Sequence, residues 1–243
     1  MGGAALAAGL LAVVAGCGAA SSGSKPAASG SGKCVAGAAA NGATGTAPLE
    51  PASGVDTITG KCWAQIKGSP ITMSVIGSQP AGTSASWKAA YTAKDLYIYT
   101  NVVTGRPLIN SNKANPWEDD TVEIYLSGTN DHSGPYPQGT GQILVNSAGL
   151  TNSSFGTDHG KLPTSGAKEL EHTTSKGYQI LLAMPWGNLG TTVKKGADVG
   201  FSIGVDFPGT GAAKRSQGGG QLMWQGTKNN YATDSGWGAI KLA

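Results

Sequence analysis

From residue 71 onward the chain is a series of short apolar and polar alternations broken by turn residues. Residues 71–76, 86–92, 96–103, 121–126, 141–146, 178–184, 199–207 and 238–242 are rich in Val, Ile, Tyr and Thr, and turn residues separate most of them. Two is the period of a strand, whose side chains alternate between faces. Each run therefore predicts a strand with one face free for a core. Ala93-Lys94-Asp95 predicts a hairpin turn between Ser86–Thr92 and Leu96–Val103. A single helical turn is predicted at Trp186-Gly187-Asn188-Leu189-Gly190, directly after Pro185. Many short, punctuated strands predict an all-β protein, an antiparallel β-sandwich of jelly-roll-like form.

The stretch Trp117-Glu118-Asp119-Asp120-Thr121-Val122-Glu123-Ile124-Tyr125-Leu126 carries the most chemistry. Alternation sends Val122, Ile124 and Leu126 to a core and Thr121, Glu123 and Tyr125 to the opposite face. A carboxylate beside a tryptophan, with no neighbouring base, suits a sugar. The indole covers the C–H face of the ring, and the carboxylate accepts hydroxyl protons. The same letters also fit a solvated strand that starts at a core tryptophan.

Composition divides the 243 residues into a tail and one domain. Up to about Ser53 the chain is nearly all Ala, Gly, Ser, Thr and Pro, which cannot bury enough surface to offset ordering entropy and predicts a disordered tether. All six Trp, seven Tyr and three Phe lie beyond Pro51. The expected division is a signal peptide over 1–16, a flexible linker over 17–50 and a β-sandwich over 51–243. A net charge of +3, with the basic residues scattered, does not suggest a nucleic-acid partner. Charged residues are only 13% of the chain, a polar but uncharged style that suits a secreted protein.

Residues 4–15 form an Ala/Leu/Val run too short to span a bilayer and suited to the apolar part of a signal peptide. It ends in Val14-Ala15-Gly16-Cys17, which resembles the bacterial lipobox, where the cysteine sulfur receives the lipid. The reading implied is an extracytoplasmic, membrane-anchored lipoprotein lipidated at Cys17; an ordinary secretory signal is the alternative. With Cys17 so used, Cys34 and Cys62 remain as an even pair in an oxidising compartment and are expected to form a disulfide. No Cys or His stands at metal-ligand spacing to either. His132, His159 and His172 read as surface-loop residues.

The order of motifs resembles the family 9 carbohydrate-binding modules. Trp87 is followed by Ala93-Lys94-Asp95-Leu96-Tyr97-Ile98-Tyr99, then by the Trp117–Leu126 stretch. Next come Gly177-Tyr178-Gln179-Ile180, Met184 to Gly190, and Gly200-Phe201-Ser202-Ile203-Gly204-Val205-Asp206. Arg215, Trp224 and the closing Gly236-Trp237-Gly238-Ala239-Ile240-Lys241-Leu242 complete the series. The resemblance implies a non-catalytic β-sandwich that captures oligosaccharides or polysaccharide chain ends of the xylan or cellulose type. By motif position it implies a clamp of Trp117 and Trp224, with Glu123 as hydroxyl acceptor. Gln142, Asn146 and Arg215 would be further contacts. It implies structural calcium as well, with no cofactor and a monomeric domain, while Trp237 reads as packing.

Two enzyme or cofactor readings and one structural reading stand beside it. Glu118, Asp120 and Glu123 fit the E-x-D-x-x-E spacing of β-sandwich glucanases, in which two carboxylates share the chemistry. Asp119, Thr121 and Val122 interrupt the alternation that such a catalytic face needs. Haem-binding relatives of the sandwich ligate iron through Met, His or Lys, which would point to Met184; Met184 reads more simply as core. The last alternative is a structural or adhesive surface lipoprotein without a sugar site.

Overall fold

The computed structural model describes residues 32–112, 114–147, 156–209 and 211–243. Thirteen strands among them build two sheets. In chain order they are β1 (Thr44–Ala47), β2 (Ser69–Ile71), β3 (Met73–Gly77), β4 (Ser84–Tyr91) and β5 (Asp95–Val103). Then come β6 (Thr121–Ser127), β7 (Thr140–Asn146), β8 (Gly156–Gly160), β9 (Lys168–Thr174) and β10 (Gly177–Pro185). The helical turn α1 (Trp186–Leu189) precedes β11 (Asp198–Phe207), β12 (Gly220–Met223) and β13 (Gly238–Leu242). One sheet runs β2-β4-β5-β10-β9, and the other runs β1-β13-β11-β6-β7-β8, with β12 on β11 and β3 on β12. Pairing is antiparallel throughout except between β1 and β13.

The core between the sheets follows from strand alternation. Val122, Ile124 and Leu126 of β6 and Phe201, Ile203 and Val205 of β11 face Trp87 of β4, Ile98 of β5 and Ile180 of β10. Each fully buried aliphatic side chain contributes about 1.5–3 kcal/mol. Trp87 sits at the centre, 4.7 Å from the Phe201 ring and 4.8 Å from Trp224. The β4–β5 hairpin closes where expected: Thr92 N–H donates to Asp95 O, and the Thr92 hydroxyl accepts from the N–H groups of Lys94 and Asp95. Trp186 anchors α1, its indole N–H donating to Thr92 O at 3.0 Å. Met184, wholly buried, belongs to the same core.

Several expectations are corrected. The run 71–76 is two strands in two different sheets, β2 and β3, because the chain crosses from one layer to the other at Thr72. His172 lies in edge strand β9 and His159 in β8, not in loops. The sandwich also starts before the expected boundary at 51. β1 pairs in parallel with β13, Thr44 opposite Ala239 through Ala47 opposite Leu242.

Residues 51–68 cover the outer face of the five-stranded sheet. Val55, Cys62, Trp63 and Ile66 pack on Ala90, Tyr97, Tyr99 and Leu181, with Trp63 stacked on Tyr99 at 5.2 Å. Cys34 and Cys62 form the expected disulfide. Its 28-residue span ties the start of the described chain to this second core, a constraint of about 2–4 kcal/mol in the loop-entropy view. Cys17, the 1–16 segment and the first part of the linker lie outside the described residues. No helix among the described residues is long and apolar enough to cross a membrane.

Candidate functional site

The outer face of the larger sheet is built from the polar half of the alternation. In cross-strand register, Tyr125 on β6 stands between Gln142 on β7 and Ser202 on β11. Glu123 stands between Leu144 and Gly204, and Thr121 between Asn146 and Asp206. At Gly204, which pairs with Glu123 on one side and Met223 on the other, the Met223 sulfur occupies the space a Cβ would take.

A cavity of about 440 Å³ opens on this face. Glu123, Gln142 and Gln221 form its buried floor. Half-buried Trp117, carried by a 3-10 turn at Pro116–Glu118, lines it together with Arg215. Those two walls are tied together, since the N–H groups of Arg215 and Ser216 donate to the backbone oxygen and carboxylate of Glu118 at 2.7 and 2.8 Å. Lys228, Asn229 and Tyr231 line the cavity from the loop after β12; Tyr231 is 46% exposed.

The floor is an organised charge network. Arg215 donates to Asp206 and lies 3.8 Å from the other carboxylate, Glu123. Glu123 also accepts the Tyr125 hydroxyl, which in turn accepts the Gln142 amide at 3.2 Å. Burial, and then the Glu123 charge, push the Tyr125 hydroxyl far above the usual phenol range, so it stays a donor. Asp206 is wholly buried; its acid form is favoured by burial first and the Glu123 charge second, against the opposing pull of Arg215. Arg215 is thus shared between two carboxylates, Asp206 and Glu123.

The raised Asp206 value makes stability depend on pH. Asp206 is raised in the folded state, whereas the unfolded chain releases the proton near about 3.9. Its contribution is complete below that range and lost as pH rises through the raised value. Asp206→Asn puts an amide where the acid stood and is expected to make the loss of stability with rising pH shallower. Urea melts across pH check this; an unchanged slope in the Asn variant removes Asp206 as a source.

The structure sorts the acidic run. Asp120 forms a bidentate pair with Arg106 at 2.7 and 2.8 Å and accepts the Ile109 N–H. Asp119 holds Asn112 through two hydrogen bonds, at 2.8 and 2.6 Å. Glu118 is occupied with Ser216. Of these four acids, Glu123 alone lines the cavity, so Glu118 and Glu123, the carboxylates of the glycosidase alternative, do not come together there.

Of the residues expected from sequence, Trp117, Glu123, Gln142 and Arg215 meet at the cavity. Asn146 shares the outer face, but its amide donates to Asp119 and Thr121 and it does not line the cavity. Trp224 is the main correction. It sits in the inter-sheet core against Trp87 and Phe201, because it follows Leu222 by two residues on the inward side of the alternation. Gly238 makes room for it, since a Cβ there would meet the indole at 2.8 Å. Trp237 is packing, as expected, 5.4 Å from Tyr125 and 5.3 Å from Tyr136. Tyr231, Lys228, Asn229 and Gln221 escaped the sequence reading. The available signal was an aromatic residue in the polar turn Thr227-Lys228-Asn229-Asn230-Tyr231.

Calcium takes six to eight oxygen ligands. The only cluster of three candidate ligand side chains among the described residues is Cys34, Glu50 and Cys62. It offers one carboxylate and two disulfide sulfurs, which does not fit a hard cation.

Residues 55–243 match the family model described as "Carbohydrate family 9 binding domain-like". The chain is 29% identical over 189 residues to Exoglucanase XynX of Acetivibrio thermocellus, covering 77% of this chain and 15% of that protein. It is 30% identical over 193 residues to Endo-1,4-beta-xylanase C of Paenibacillus barcinonensis, covering 78% of this chain and 16% of the enzyme. The chain thus spans about a sixth of the length of these relatives. In fold it is similar to a family 9 carbohydrate-binding module of Caldicellulosiruptor kristjanssonii. With the cellotriose complex the TM-score is 0.68 at 20% identity, over 82% of this chain and 93% of that one. With the glucose complex it is 0.65 at 22% identity, over 82% and 94%.

Proposed function

The chain belongs to the carbohydrate family 9 binding domain-like family, whose modules are non-catalytic, and we propose that its sandwich captures oligosaccharides or polysaccharide chain ends of the cellulose or xylan type. The observation that carries this reading is the cavity itself. A charged acceptor, Glu123, lies at the floor of a pocket flanked by Trp117 and Tyr231. A pyranose presents apolar C–H faces and hydroxyl-bearing edges. The rings of Trp117 and Tyr231 suit the faces, while Glu123, Gln142 and Arg215 suit the hydroxyls. The sugars named for the Caldicellulosiruptor complexes, cellotriose and glucose, support the choice of ligand class.

A cavity closed at its floor accommodates a terminal sugar better than the middle of a chain. Domains of this family typically come from secreted carbohydrate-active proteins, and the Val14-Ala15-Gly16-Cys17 sequence supports lipid anchorage at Cys17 on the outer surface. There the protein acts as a monomeric capture module.

Titration calorimetry with cello- and xylo-oligosaccharides tests the reading. Trp117→Ala and Tyr231→Ala are each expected to weaken binding about tenfold, the scale of a lost stacking contact plus its buried area. Melting temperatures should stay close to wild type because both rings are partly exposed. No binding by the wild-type chain, or full binding by both variants, overturns the site.

A further inference from the structure

We infer that the cavity prefers sugars bearing a carboxylate, such as a hexuronic acid, over their neutral counterparts, and that Lys228 is the residue that selects them. The inference rests on the sugar-binding reading above and goes beyond it by naming the charge of the preferred ligand.

The charges around the cavity lead there. Arg215 is the obvious cation, but it is already engaged: it donates to Asp206 and lies 3.8 Å from Glu123. Two carboxylates therefore already share that guanidinium. Lys228 lines the same cavity, and no carboxylate of the described residues lies within 4.0 Å of its ammonium group. Among the described residues Lys228 is therefore the cation of the cavity lining that is not paired with a carboxylate.

The backbone that carries the lysine is also held. Its loop is pinned from beneath by Asn230, which is 2% exposed. The Asn230 side chain accepts the Thr227 N–H at 2.8 Å and donates to Ser202 Oγ at 3.2 Å and to Gln225 O at 2.9 Å. The Tyr136 hydroxyl donates to the Asn230 backbone oxygen. Asn230 thus fastens the loop to Ser202 of β11, which keeps the Lys228 backbone beside the cavity.

Charge then orients the ligand. Glu123 at the floor attracts hydroxyl protons and repels an anion, so a carboxylate on the ring edge turns away from it. Lys228 is the cation left to receive that carboxylate. An exposed ion pair of this kind strengthens binding by about two- to fivefold.

The test compares cellobiose with the same disaccharide oxidised to a carboxylate at C6, titrated into the full chain at 20 and 500 mM NaCl. The acidic sugar is expected to bind about two- to fivefold tighter at low salt, with the ratio falling towards one at high salt. Lys228→Gln should bring the ratio to about one at low salt, and Lys228→Glu should invert it. Reading the ratio cancels any contact the lysine makes with both sugars. Binding of cellobiose with no preference for the acid overturns the inference and leaves the sugar site standing. Loss of both sugars overturns the sugar site itself. A preference that survives in Lys228→Gln removes Lys228 from the role.

Discussion

Trp224→Ala is expected to cost about 3–5 kcal/mol of folding stability, the range for truncating a buried tryptophan. Trp224 packs on two of the largest core side chains, Trp87 at 4.8 Å and Phe201 at 5.6 Å. Gly238 has given up its side chain to accommodate the indole. Truncation leaves a void between the sheets that rigid strands fill poorly. Denaturant unfolding reads the loss, and any fall in sugar binding should track the unfolded fraction. A variant that melts like wild type while losing sugar would place Trp224 at the ligand after all.

Glu123→Gln is expected to weaken sugar binding about ten- to hundredfold, equivalent to the roughly 1.5–3 kcal/mol of a hydrogen bond to a charged group. The fold should survive, because Arg215 keeps Asp206 as its partner. Removing the Glu123 charge also removes the second-largest cause of the raised Asp206 value, so Asp206 should ionise at lower pH in the variant. Calorimetry and thermal melting separate the two effects. Unchanged affinity in Glu123→Gln would take the floor carboxylate out of recognition.

Much of this was legible in the residues. Val122, Ile124 and Leu126 alternate strictly with Thr121, Glu123 and Tyr125, and the structure divides them between the core and the outer face as that period requires. The hairpin at Thr92–Asp95 and the turn after Pro185 were legible because local chemistry sets both. The disulfide followed from the cysteine count and compartment. The weaker strands were not. β1, β8, β9 and β12 lack the Val/Ile/Tyr density of a buried strand and exist because a neighbour offers them hydrogen bonds.

The site divides along the same line. Glu123 and Trp117 declared themselves because a strand period and an adjacent aromatic are local patterns. Their partners come from far along the chain: Arg215 is 92 residues beyond Glu123 and Tyr231 is 108, by the numbering. Motif position placed Trp224 at the ligand, whereas alternation from Leu222 already sends it inward, and only the packed core made that decisive. What the sequence by itself determined was therefore one face of each strong strand, since alternation is a property of the backbone. Which acid faces a ligand and which one grips Arg106 or Asn112 was decided by the tertiary structure. Burial and hydrogen-bond partners supplied from distant loops assign the role of a charged side chain, and no short stretch of sequence contains them.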